Sequence, residues 1–190
     1  MRLILLCVIF LGVNSCANNS KEVSKSAYWE SLKDSFQIMD LKRFVVDSHL
    51  ATNYSKFHRI KNSVVDSVIG YGTPFLYSWQ TTSSGLTAFT TFVDAGEHGN
   101  RIFYFIFDDK GLLRSSALVA SKAGEVGILY ETRSWFKDED TLYKTIATTT
   151  EWDLNKSEPW VHRKHEGDST QSIIIIHKDG TIIENVLNAR

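Results

Sequence analysis

Apolar and polar positions change their spacing several times along this chain, and each change predicts an element. Leu3 to Val13 is an unbroken apolar run behind a single basic residue, Arg2, and small or polar residues follow it. That is the pattern of a secretory signal. As a helix the run spans about 16 Å, against roughly 30 Å of hydrocarbon, so it is too short for a permanent membrane span. From Ala17 to Ser26 the chain is polar and aperiodic, which predicts a tether reaching up to about 35 Å. Trp29, Leu32, Phe36 and Met39 then recur at spacings of three and four, predicting an amphipathic helix over 27–40. Leu41 to Leu50 fits either more helix or a short strand. A second helical pattern runs through Phe57, Ile60, Val64 and Val68, with a break near Asn62, where Ser63-Val64-Val65-Asp66 has the form of a capping box. Gly70-Tyr71-Gly72-Thr73-Pro74 ends it, since glycine accepts a left-handed cap and proline cannot continue a helix.

After Pro74 the period falls to two. Phe75, Tyr77 and Trp79 alternate with Leu76, Ser78 and Gln80; Leu86 to Asp94 and Arg101 to Phe107 read as further strands, and Asp108-Asp109-Lys110-Gly111 turns the chain into Leu112 to Ala120. The strand Arg101 to Phe107 is apolar on both faces, so it should be central and covered on both sides. In the second half, Ile128 to Phe136 reads as a strand. Asp138, Glu139 and Asp140 look like the acidic start of a short helix through Leu142 and Ile146. Trp152 lies in an uncertain polar stretch, Trp160-Val161-His162 looks extended, and Ser172 to His177 turns through Lys178-Asp179-Gly180 into Thr181 to Leu187. Phe103 to Gly111 and Ile173 to Gly180 both run from an apolar strand into an acid, lysine and glycine turn, which suggests duplication of a helix-then-hairpin unit. The organisation expected is therefore a signal over 1–15, a tether over 16–26 and an α+β domain over 27–190, either undivided or built of units 27–120 and 121–190. Its N-terminal helices would pack on antiparallel sheet.

Composition narrows the function classes. Without residues 1–15 the formal net charge moves from −1 to −2, which leaves no electrostatic footprint for nucleic acid. Cys7 leaves with the signal, so Cys16 is the remaining thiol and no disulfide forms within the mature chain. Val13-Asn14-Ser15-Cys16 resembles the lipobox of bacterial lipoproteins, with Asn14 departing from the usual small or apolar residue. The resemblance implies acylation of Cys16 and permanent anchoring. Ala17 after the cysteine resembles the sorting signal for the outer membrane, and the domain would face the periplasm.

Catalytic and metal-binding patterns are weak. His162-Arg163-Lys164-His165-Glu166 has the order of neither a helical zinc motif nor its inverse, and two cations separate the histidines. Glu97-His98 sits in a loop, where adjacent side chains point apart. No nucleophile elbow and no phosphate cradle occur, and no cofactor or metal is expected. Trp79, Trp135 and Trp160 fall on expected strands beside the aromatic run containing Tyr104. Aromatics on one sheet face are either core or a surface for a protein partner.

The stretch Ser63 to Pro74, the Trp79 strand and Tyr104-Phe-Ile-Phe-Asp-Asp-Lys-Gly111 together resemble the BamE (SmpA/OmlA) outer-membrane lipoproteins, over roughly residues 55–118. A duplicated unit of this kind is also similar to the tandem β-lactamase-inhibitor protein fold. The resemblance implies a helix pair packed on an antiparallel sheet and binding to envelope or outer-membrane proteins, in assembly or scaffolding, without catalysis. The alternatives are an inhibitor or small-ligand-binding lipoprotein, marked by a deep aromatic pocket, and a hydrolase, marked by convergence of groups such as His162, His165 and Glu166.

Overall fold

Three short helices and two minimal strands precede the main sheet in a computed structural model that describes residues 25–82, 84–96, 99–125, 128–150 and 168–189. Helix α1 (Lys25–Ser31) stops after one apolar anchor, Trp29. A 3₁₀ turn (Lys33–Ser35) then leads into β1 (Ile38–Met39) and β2 (Arg43–Phe44). Asp47 caps α2 (Ser48–Asn53) by accepting from the Leu50 amide at 2.8 Å. Asn62 caps α3 (Ser63–Ile69) by accepting from Val64 and Val65, so the break expected near Asn62 is a true N-cap. Gly70 ends α3 with φ +76, and Gly72 takes φ +106, where a Cβ would lie 2.7 Å from Val93 Cγ1. The glycines of the Gly-Tyr-Gly stop therefore serve different purposes. One turns the helix off; the other lets the backbone pass close to the sheet.

From Thr73 the strands follow one another without an α-helix among the described residues. They are β3 (Thr73–Gln80), β4 (Thr87–Asp94), β5 (Asn100–Phe107), β6 (Leu113–Glu125), β7 (Ile128–Phe136), β8 (Thr141–Thr150), β9 (Ser169–Ile176) and β10 (Ile182–Ala189). Each pairs antiparallel with the next in an up-and-down order, β1 lies parallel to β3, and β2 pairs with β7. Strands take 53% of the described residues and helices 18%.

This corrects the α+β expectation. The protein is predominantly β, built on one ten-stranded sheet, and it is not an arrangement of N-terminal helices on a smaller sheet. The helix expected over 27–40 ends at Ser31: beyond it Phe36 is buried from the residue after a 3₁₀ turn, Leu32 is half-buried and Met39 is left 48% exposed on β1, and so short a helix adds little of its own. The helix expected after Asp140 is β8, whose threonines and Ile146 favour extended backbone. Asp138 turns the chain instead, accepting from the Asp140 amide at 3.1 Å. With that helix gone, the second unit of a helix-then-hairpin duplication is absent from the described residues, and so is the helix-pair architecture that the family resemblance implied.

The sheet bends at β6. Its residues Leu113 to Lys122 pair with β5, while only Ser121 to Glu125 pair with β7. Where β6 leaves β7, β2 takes its place, with Arg43 opposite Trp135 and Phe44 opposite Ser134. The bend folds the second half of the sheet toward the first and encloses Phe44, Tyr104, Ile106, Leu142 and Ile174. On the outer side of the first half, Trp29, Val65 and Ile69 cover Phe89, Phe105 and Phe107. Strand β5 thus feeds Ile102, Tyr104 and Ile106 into one cluster and Phe105 and Phe107 into the other, with Phe103 packed at the margin of the second. It is central and covered on both sides, as its sequence indicated.

Candidate functional site

Directly paired residues of antiparallel strands share a face, so register decides what the second half of the sheet presents. Phe136, Leu142 and Ile174 lie in one row and join the enclosed core. The adjacent row, Trp135, Tyr143 and Ile173, must face the other way. That outward face is open: Trp135 is 42% exposed, and Ile183 and Leu187 of β10 are 44% and 46% exposed. The Trp135 and Tyr143 rings lie 5.8 Å apart, and the Lys137 ammonium sits 5.7 Å from the Tyr143 centroid. Between this pair and Leu187 runs a trough of about 250 Å³ that also touches Thr145 and Gln171. Beside it, β10 ends the strand order.

The remaining candidates from the sequence do not gather there. Trp79 is 5% exposed, edge-on to Phe36 at 5.5 Å in the cluster beneath the helices. Tyr104 is 2% exposed, between Phe44 and Phe136 in the enclosed core. Burial, and after it the charges of Asp140 and Asp40, hold its phenol well above the ordinary tyrosine range. Both rings are packing residues with no free face for a partner, and they lie in different clusters. Trp160 and Cys16 fall outside the described residues, as do Glu97, His98, His162, His165 and Glu166. Sequence reasoning missed Tyr143 and Leu187. The parity of β8 with Trp135 would have found Tyr143, had Thr141 to Thr150 been read as a strand.

A polar cluster occupies the enclosed face of the second half of the sheet. Lys144, Ser172 and Glu184 converge there: the Lys144 ammonium lies 3.1 Å from Glu184 Oε2, and the Ser172 hydroxyl donates to Glu184 Oε1 at 2.6 Å. Ser172 and Lys144 also line the trough, but Ser172 is only 2% exposed and its hydroxyl is committed to Glu184. The cluster binds three strands together and offers no nucleophile. Among the described residues no group of three His, Cys, Asp or Glu side chains is placed to hold a metal ion, and no helix is long and apolar enough to cross a membrane. No family model, no curated protein and no solved structure matches this chain.

Proposed function

We propose that this chain is a lipoprotein anchored in the outer membrane through Cys16, and that its periplasmic sheet binds other envelope proteins without catalysis, in assembly or scaffolding. The observation that supports the reading is the open apolar face of Trp135, Tyr143, Ile183 and Leu187. Large apolar side chains gathered on a surface mark interaction sites, and tryptophan and tyrosine supply much of the binding energy at protein interfaces. The trough is shallow and lies on a sheet face, a shape that suits a protein surface better than an enclosed substrate. The tether reaches at most about 35 Å, so the domain stays close to the membrane surface and its partner belongs to the envelope.

The test is co-purification from solubilised envelopes with wild type, Cys16→Ala, Trp135→Ala and Leu187→Asp. A partner retained by wild type and lost from Trp135→Ala and Leu187→Asp, with unchanged urea midpoints, is the expected result. Equal retention by all the folded proteins would remove the face from the proposal. Radiolabelled palmitate incorporated by wild type and not by Cys16→Ala tests the anchor separately.

A further inference from the structure

A second recess, of about 360 Å³, lies away from the trough, where β1, α2, the turn at Lys56–Phe57 and β3 meet. Its size is near the lower end of the roughly 300–1,000 Å³ typical of small-molecule clefts. Ile38, Leu50, Phe57 and Tyr77 give it apolar walls. The Phe57 and Tyr77 rings stand 5.5 Å apart at 59°, and Leu50 and Tyr77 are more than nine-tenths buried.

The polar lining keeps several acceptors unspent. Gln37 Nε2 donates to the Lys56 carbonyl at 3.0 Å, and Asn53 Nδ2 donates to the His49 carbonyl at 2.9 Å. Only the nitrogen end of an amide can serve a carbonyl, so both amide oxygens remain as acceptors. Asp47 spends Oδ1 on the Leu50 amide and keeps Oδ2. The Tyr77 hydroxyl has no hydrogen-bond partner among the described residues. Burial, and after it the Asp47 charge, hold the Tyr77 phenol above its ordinary value. Unspent acceptors lie beside aromatic faces, and the two basic residues on the lining, His49 and Lys56, are exposed.

We infer that this recess binds a small organic ammonium ion with a compact apolar body. The body lies against Ile38, Leu50, Phe57 and Tyr77, and the N–H donors go to the Asp47 carboxylate and the unspent oxygens around it. Aromatic faces beside a carboxylate suit such a cation. Lys56 opposes it electrostatically from the rim.

The probe is 2-phenylethylammonium, with 3-phenylpropanoate as the carboxylate of similar shape, titrated by calorimetry into the full-length protein in detergent. Saturable one-to-one binding of the ammonium is expected, at least about tenfold tighter than the carboxylate. Asp47→Asn keeps the helix cap, because asparagine also accepts from the Leu50 amide, and should weaken binding about tenfold, the scale of one charge-assisted hydrogen bond. Tyr77→Phe should weaken it about threefold, and Lys56→Gln should tighten it. Absence of saturable ammonium binding, a carboxylate that binds as well, or an ammonium affinity unchanged in both Asp47→Asn and Tyr77→Phe would each overturn the inference.

Discussion

Lys144 and Glu184 meet at 3.1 Å across the width of β9, with the lysine side chain 8% exposed and the glutamate 35%. Ser172, on the strand between them, occupies the other carboxylate oxygen at 2.6 Å. The last strand is therefore tied to β8 by side chains in addition to its backbone pairing with β9. Removing the acid leaves a buried ammonium without its partner. Glu184→Gln should lower stability by about 1–2 kcal/mol in urea denaturation, less than the roughly 3–5 kcal/mol of a fully buried pair because the glutamate is partly solvated. The double variant Lys144→Met/Glu184→Leu should recover most of the loss, since no unpaired charge remains.

A second dependence lies in the turn between β5 and β6. Asp108 accepts from the Leu112 amide at 2.8 Å and the Lys110 amide at 2.9 Å, and Arg114 lies 2.8 Å from its other oxygen. The backbone donor from Leu112, ahead of the Lys110 amide and the Arg114 charge, holds its carboxyl below the ordinary value. Its stabilising contribution is thus complete above the unfolded pKa of about 3.9 and disappears as pH falls through the lower folded value. Thermal melts from pH 6 down to pH 2 should show a smaller acid-induced fall in Asp108→Asn than in wild type. Parallel curves would rule this contribution out.

Trp29 holds α1 to the sheet, with its ring centroid 4.5 Å from Phe107 and 5.0 Å from Phe89. Trp29→Ala should cost about 3–5 kcal/mol by leaving a cavity over those rings. Hydrogen exchange should show α1 losing protection first, because this helix has no other buried side chain among its described residues.

The two glycines after α3 should separate cleanly in calorimetry. A Cβ at Gly70 meets nothing within 4 Å, so Gly70→Ala costs only the strain of its positive-φ γ-turn, roughly 1–3 kcal/mol. A Cβ at Gly72 would also lie 2.8 Å from the Asp94 carbonyl oxygen, so Gly72→Ala should lower the melting temperature further.

Local signals predicted local features well. The break near Asn62, the stop at Gly70, the turn at Asp108 to Gly111 and the doubly covered strand around Tyr104 all follow from a few adjacent residues, although the cap is Asn62 itself and not Ser63 of the capping-box pattern. The three-and-four spacing of Trp29 to Met39 misled, because only Trp29 and Phe36 are buried, which a seven-residue helix and a 3₁₀ turn achieve, while Met39 stays exposed on β1. Thr141 to Ile146 misled because three acids before an apolar residue open a turn as readily as a helix.

What the chain determined by itself was the alternation of the strands it marked, and so which of their residues share a face, since this depends on backbone sterics and the nearest few side chains. Which face is enclosed was settled only when β6 bent and β2 entered beside β7, because that choice depends on strand pairing between residues about ninety positions apart. The same pairing buried Tyr104, and the helices over the first half of the sheet buried Trp79. Trp135 and Tyr143 were left facing solvent on the side that no described element covers.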